Sequence, residues 1–309
     1  MHNYHSSVNS LPWGDGPWWI EWSAHTLLLP YMEQTPIYNA INFSDTQPFG
    51  GIPMPVNNPA NSTATYTVIN GFNCPSDMDR LTDPNGHNNY MDNSGSAPNC
   101  DYAGNSFVPS WNGPSAGPFI YSSNGVDTGP PGFGGSSVNI AGITDGTSNT
   151  AAFSERVKAI GSDLGPTTAP FDGGNPTSSL AIPTAVPNSQ ESSPQAYYNI
   201  CKVTPPVPTS TGQNAGNPGA GGPDDNISGS TWVTGQPVNT RYIHVMPPNT
   251  WSCRSGLQIA HVASSRHPGG VNVMFCDGSV KFLKSTVSIQ TWWAIGTRAG
   301  GEVISSDQY

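Results

Sequence analysis

The chain predicts an α+β fold with more strand and loop than helix, and three features carry that prediction. The first is a hairpin signal. Val271, Val273 and Phe275 alternate with Asn272, Met274 and Cys276, Asp277-Gly278 supplies a two-residue turn, and Val280 and Phe282 resume the alternation on one buried face. The second is helical spacing confined to two places, residues 22–41 and 288–295. The third is composition: 35 glycines and 31 prolines with only 10% charged residues describe a turn-rich chain. With 309 residues there is length for one substantial core, and a single domain over 1–309 with a long loop-rich insertion at 161–231 is expected.

Taken in order, His2 and His5 would share one side of a helix and serve as packing residues. In 22–41 the apolar residues Leu27, Leu28, Tyr31, Met32 and Tyr38 recur near a 3.6 period, with Pro30 and Pro36 kinking or dividing the helix. Residues 44–65 read as loop and 66–72 as a short strand. Residues 75–100 form a polar Asn/Asp/Gly-rich excursion, read as an exposed decoration. Strands are expected at 106–109, 138–140 and, after the turn cluster 145–149, at 150–157. Residues 161–231 are mostly Pro, Gly, Ser, Thr and Asn, with 203–230 nearly structureless by composition. The segment 288–295 predicts a short helix burying Trp292 or Trp293, and 296–309 returns to loop.

The net charge of −10 opposes a polyanionic partner, because nucleic-acid binding draws most of its affinity from Lys and Arg against phosphate. Nucleic acid and anionic lipid surfaces are therefore poor partners. No run of about 18 apolar residues occurs, so the sequence contains no membrane-spanning helix. The cysteines are Cys74, Cys100, Cys201, Cys253 and Cys276. They show no CxxC and no metal-ligand spacing, which speaks against a zinc site among them. Two disulfides and one leftover thiol fit a secreted chain. Cys276 is the expected leftover, and Cys201 with Cys253 is the preferred pair because they bracket the most irregular stretch.

Several segments match one family in a fixed order. They are His2-Asn3-Tyr4-His5, Leu28-Leu29-Pro30-Tyr31-Met32-Glu33-Gln34, Cys74-Pro75-Ser76-Asp77, Tyr102-Ala103-Gly104-Asn105, Ile143-Thr144-Asp145-Gly146-Thr147-Ser148-Asn149-Thr150, and His244-Val245-Met246-Pro247-Pro248-Asn249. A further signature is His267 followed by Asp277-Gly278, and the run Gly296-Thr297-Arg298-Ala299-Gly300-Gly301-Glu302 closes the series. In these the chain resembles the prepilin-like family catalogued as domain of unknown function 1559, best known from planctomycete bacteria. The resemblance implies a pilin or pseudopilin-like head, in which an antiparallel sheet packs on an N-terminal helix. It also implies that most of that helix, with its basic leader, would precede Met1. Family members commonly carry a further Cys on that helix, which could pair with Cys74.

Enzyme chemistry finds no support: there is no GxSxG elbow, no HExxH and no Walker loop. His267 and Asp277 do not make an acid/base pair, because a hairpin holds them roughly 25 Å apart at ~3.3 Å per residue. They are expected to fix a loop and a turn. Pseudopilins of the major class hold calcium in a C-terminal loop, and Gly300-Gly301-Glu302 with Asp307 resembles one, making calcium the one candidate ion and Glu302 and Asp307 its candidate ligands. The cluster Asp77, Asp79, Asp83 and Asn85 fails the EF-hand pattern and reads as solvated loop. Trp13, Trp18, Trp19 and Trp22 read as packing residues. Alternatively, Trp18 and Trp19 would form a sugar-stacking platform. The expected role is a non-enzymatic pilin- or pseudopilin-like surface or filament subunit, a homo-oligomer or a partner of pilus or secretion subunits outside the cytoplasm. The alternative is a membrane-tethered module binding a glycan or other solute.

Overall fold

The computed structural model describes residues 1–14, 22–43, 59–82, 84–96, 138–161, 179–181, 194–204, 206–208, 228–235, 237–255, 258–305 and 308. Helix α1 (His2–Val8) is followed by α2 (Ala24–Leu28), a 3-10 turn (Leu29–Met32), α3 (Thr35–Ala40) and α4 (Ser62–Thr65). Strands β1 (Arg80–Leu81), β2 (Tyr90–Asn93), β3 (Ala151–Glu155), β4 (Ile160–Gly161) and β5 (Ser179–Ala181) come next, then α5 (Pro194–Cys201) and β6 (Pro206–Pro208). The chain continues through α6 (Pro237–Thr240), β7 (Arg241–Tyr242), β8 (Ser252–Ser255), β9 (Gln258–Ala260), β10 (Gly270–Phe275), β11 (Val280–Lys284) and α7 (Ile289–Gly296). Among the described residues no helix is long and apolar enough to cross a membrane.

The central sheet has the order β11-β10-β3-β2-β7. It is mixed rather than purely antiparallel, because β2 and β7 run parallel, with Asp92 beside Arg241. One face is closed by α7. Val271, Val273, Phe275, Leu283, Met91 and Tyr242 meet Trp292, Trp293 and Ile295 there. Full burial of each large apolar side chain stabilises by about 1.5–3 kcal/mol, so this layer dominates the core. Both tryptophans are buried, where the sequence reading allowed for one. Ser288 starts α7 by accepting from Thr291 N at 3.1 Å. Gly296 ends it against His244, where a Cβ would stand 2.6 Å from the His244 Cβ, so only glycine fits.

The prolines divide the 22–41 segment as expected, with Pro30 in the 3-10 turn and Pro36 in the first turn of α3. Ser23 caps α2 through Thr26 N at 3.2 Å. The strand expected at 66–72 is absent. The chain leaves α4, and a 3-10 turn (Asn70–Phe72) buries Ile69 and Phe72 while Tyr66 and Val68 stay exposed, a spacing of three rather than two. Residues 138–140 likewise form no strand, because Asn139 accepts from Gly142 N at 2.9 Å and sets a 3-10 turn. Strand β3 falls where 150–157 predicts it. Residues 106–109 lie outside the described residues.

The largest correction concerns 75–100. Instead of an exposed decoration it supplies β2 to the central sheet, and Asn88, Asn89, Asp92, Asn93 and Ser94 are buried. Side-chain amides here take the place of backbone partners. Asn93 Nδ2 donates to Ala151 O and Gly296 O, and Asn89 Nδ2 donates to Arg156 O.

The hairpin is present with a different turn and a different face. Gly278 N donates to Phe275 O, Phe275 N donates to Ser279 O, and Gly278 has φ 89°. That is a three-residue Cys276-Asp277-Gly278 loop with a left-handed glycine, not a two-residue turn. In its register Val273 faces Lys281 and Val271 faces Leu283. Val280 and Phe282 therefore point away from α7 and are exposed, while Lys281 Nζ stands 4.6 Å from the Phe275 ring centroid.

A second sheet, β6-β5-β8-β9, draws β5 and β6 from the expected insertion. Helix α5, also in that stretch, buries Tyr197 and Cys201 against Ile243, Val245 and Val262. Cys201 and Cys253 form a disulfide, and Cys74 and Cys276 are free and buried. Burial pushes the Cys276 thiol up to about 12, which leaves it unreactive. Cys100 lies outside the described residues.

Two histidines are locked into the interior. His25 contacts the rings of Phe72 and Phe153 and bonds Tyr90 O through Nε2, and His244 stacks on Trp292 with Nδ1 2.8 Å from Trp292 O. Burial lowers His25 from 6.5 to about 4 and His244 from 6.5 to about 3. Their folded values lie below the unfolded one, so the stability they contribute is complete above pH 6.5 and is lost as pH falls through about 4 and 3. Resistance to urea should therefore fall steadily as pH drops from 6.5 to 4. In His25→Gln the slope should fall by about 1.4 kcal/mol per pH unit, one proton's worth, over that range. A slope unchanged by the substitution would contradict a neutral buried His25.

Candidate functional site

The face of the central sheet opposite α7 is partly covered by α1 and α2, which pack on Phe153, and is exposed toward β11 at Val280. Phe153 of β3 pairs with Met274 of β10, which pairs with Val280 of β11, so the three side chains share that face. With Met1, His25, Leu28, Met32 and Phe72 they line a groove of about 330 Å³. One end is polar, where Tyr90, Glu155 and Asn272 reach it. Helix α1 lies beside it. Tyr4 packs on Leu27, Leu28 and Tyr31, and His5 Nε2 accepts from Ile140 N at 3.3 Å, in line with the packing role expected of His5.

At the polar end three distant segments converge on Glu155, the last residue of β3. Its Oε2 accepts from Asn272 N at 2.9 Å, and its Oε1 accepts from Asn272 Nδ2 at 3.1 Å and lies 3.2 Å from His267 Nε2. Cys74 completes the group: Cys74 Sγ, a Glu155 oxygen and a His267 ring nitrogen all lie within 4.8 Å of one another. Cys74 and Glu155 are buried, and the His267 side chain is 32% exposed, which leaves a path from solvent. Burial first, then the neighbouring Cys74 and Glu155, raises the Tyr90 phenol above its usual value.

Asp77 holds these segments together. Its backbone N donates to Cys74 O, closing the turn that carries the thiol. Its carboxylate accepts from Asn89 Nδ2 at 2.7 Å, Lys158 N at 2.9 Å and Arg266 Nε at 3.3 Å, which ties the turn to the residue that leads into β2, to the exit of β3 and to the residue before His267. Asn89 Oδ1 also accepts from Cys74 N at 2.9 Å. On the other side, Ser265 Oγ accepts from His267 N and donates to Gly270 O, and Ser264 N donates to Glu155 O. Asp77 and Asn85 are therefore buried and structural, whereas Asp79 is exposed as the solvated reading expects, and Asp83 lies outside the described residues. Nearby, His87 and Lys158 outweigh burial and hold Asp79 at about 2.

Of the residues singled out in the sequence, His267 belongs to this cluster. Asp277 does not, because it sits in the hairpin loop. Its Oδ1 accepts from Ser279 N and Oγ, and these bonds outweigh a slight burial and keep its carboxyl below the usual range. Gly278 supplies the left-handed turn. Glu302 is exposed and accepts from Thr297 Oγ1 at 3.0 Å, while Asp145, which the sequence reading treated only as a turn residue, accepts from Gly300 N, Gly301 N and the same hydroxyl. Asp307 lies outside the described residues, as do Trp18 and Trp19. Of the other two tryptophans in that group, Trp22 is buried beside Phe43, and Trp13 packs on the cluster around Tyr4. Sequence reading missed Glu155, Asn272 and Tyr90. A charged residue ending the otherwise uncharged Ala151-Ala152-Phe153-Ser154 run was the available signal.

Neither the curated proteins nor the solved structures contain a match to this chain. A protein-family model described as "Protein of unknown function (DUF1559)" matches residues 1–290. That span takes in α1, the groove, the Cys74-Glu155-His267 cluster and the β10–β11 hairpin, reaching the start of α7, and the chain belongs to the DUF1559 family.

Proposed function

We propose that this chain is a non-enzymatic pilin- or pseudopilin-like subunit of a surface filament or secretion assembly, acting outside the cytoplasm, and that the groove is a seat for a helix. The observation that carries the reading is the apolar groove lined by Phe153, Met274 and the exposed Val280, edged by Met1 at the start of α1. A helix continuing α1 upstream, as the family resemblance implies, would begin at the edge of that groove. Apolar surface of this kind gains by being covered, at about 25 cal/mol per Å² removed from water. The Cys201–Cys253 disulfide supports an oxidising compartment.

Antibody to this chain, used in electron microscopy of envelope material from cells expressing a helix-bearing form, should decorate filaments with a regular repeat. Met274→Asp should abolish them while the protein stays folded. Diffuse labelling without filaments would defeat the assembly reading. The polar end of the groove supports a second reading, a tethered solute-binding module, with Tyr90, Glu155 and Asn272 as the orienting groups beside an apolar wall.

A further inference from the structure

We infer that Cys74, Glu155 and His267 form a binding site for a single borderline divalent metal ion, with zinc as the ion that fits best. The inference is independent of the assembly reading. A thiolate, an imidazole and a carboxylate are the donor types that zinc takes, and a site containing thiolate and imidazole disfavours calcium and magnesium. Zinc bonds of about 2.0–2.3 Å put neighbouring tetrahedral ligand atoms about 3.5 Å apart. Glu155 Oε1 and His267 Nε2 already stand at 3.2 Å, and all three donor atoms lie within 4.8 Å, so side-chain adjustment of about an ångström suffices.

Charge and support agree with a metal. A thiolate and a carboxylate together balance a dication, which matters where Cys74 and Glu155 are both buried. The ligands come from rigid places: the Cys74 turn fixed by Asn89 and Asp77, the end of β3, and the loop clamped by Ser264 and Ser265. The bonds from Asn272 N and Nδ2 orient the Glu155 carboxylate as an outer shell would. Three protein ligands leave a fourth position, and Glu155 is shared with the groove, so that position would be filled by water or by a donor entering along the groove. Two of the three ligands, Cys74 and His267, stand in the motifs through which the chain resembles its family.

The test is a zinc titration of the full chain, stripped with chelator under conditions that keep the Cys201–Cys253 bridge, against a chromophoric competitor, with cobalt as a spectroscopic probe. One zinc per chain is expected, with tetrahedral cobalt bands and a thiolate-to-cobalt charge-transfer band. Cys74→Ser should remove that band and weaken zinc at least 10-fold, His267→Gln should weaken zinc at least 10-fold with the band retained on the residual complex, and Cys276→Ser should change neither. Circular dichroism confirms that each variant is folded, and the partly exposed His267 provides the substitution with least risk to the core. Absence of zinc binding by the parent chain, or binding unchanged in both Cys74→Ser and His267→Gln, would overturn the proposal.

Discussion

Asp92→Ala should destabilise the chain by about 3–5 kcal/mol, the usual cost of leaving one charge of a buried pair uncompensated. Asp92 of β2 and Arg241 of β7 are neighbours in the parallel register at the edge of the central sheet, with Nε and Oδ1 3.7 Å apart and both side chains 0% exposed. Water cannot solvate the guanidinium once its partner is gone. Because domains are stable by only about 5–15 kcal/mol, the variant should unfold at a much lower urea concentration. The mechanism makes a second, sharper demand. Desolvation offsets much of the pair's attraction, so Asp92→Leu with Arg241→Met should recover most of the loss. A double variant as unstable as Asp92→Ala would mean that the polar contacts of these two residues, not the uncompensated charge, dominate.

Removing the disulfide should cost nearly as much. Cys201 ends α5 and Cys253 lies in β8, with a sequence separation of 52, and closing a loop of that length lowers the entropy of the unfolded chain by about 4 kcal/mol at room temperature. Cys201→Ser with Cys253→Ser should therefore lower the urea midpoint, and reductant should reproduce the loss in the parent chain while having no effect on the variant. The damage should concentrate in the cluster of Tyr197, Ile243, Val245 and Val262, which hydrogen exchange would register as early opening there rather than in the α7 layer. A loss under about 1 kcal/mol would mean that packing of α5 alone restrains this stretch.

How much of this was legible in the sequence depended on whether the signal was local. The hairpin, the proline-divided helices, β3 and α7 follow from periodicity and punctuation within a few residues of each other. The choice of Cys201 with Cys253 followed from the irregular stretch that the two residues bracket. The Asn-rich stretch was misread because Asn is a turn signal only when its side chain bonds its own neighbourhood. Here Asn88, Asn89 and Asn93 bond residues scores of positions away and make a polar core. The facing of Val280 and Phe282 was missed for a related reason: a three-residue loop with its left-handed glycine shifts the register that a two-residue turn would impose.

The metal-type cluster shows the same limit from the other side. Cysteine spacing spoke against zinc, but spacing reads only sites built from nearby cysteine pairs. The convergence of Cys74, Glu155 and His267 is instead made by the fold, through Asp77 and the pairing of β3 with β2 and β10. No window of the sequence contains two of the three.

The central claim is that the sheet face opposite α7 is a helix seat, and solvent access at Val280 tests it most directly. Val280 is 63% exposed and lines the groove, whereas Val303, 99% exposed, lies in the C-terminal tail. Val280→Cys and Val303→Cys would be labelled with a thiol reagent in this chain and in a form carrying the amino-terminal helix that the resemblance implies, with mass spectrometry locating the label. The account predicts fast labelling of both in this chain and strong protection of position 280 alone in the helix-bearing form. Equal labelling of position 280 in the two forms would contradict it.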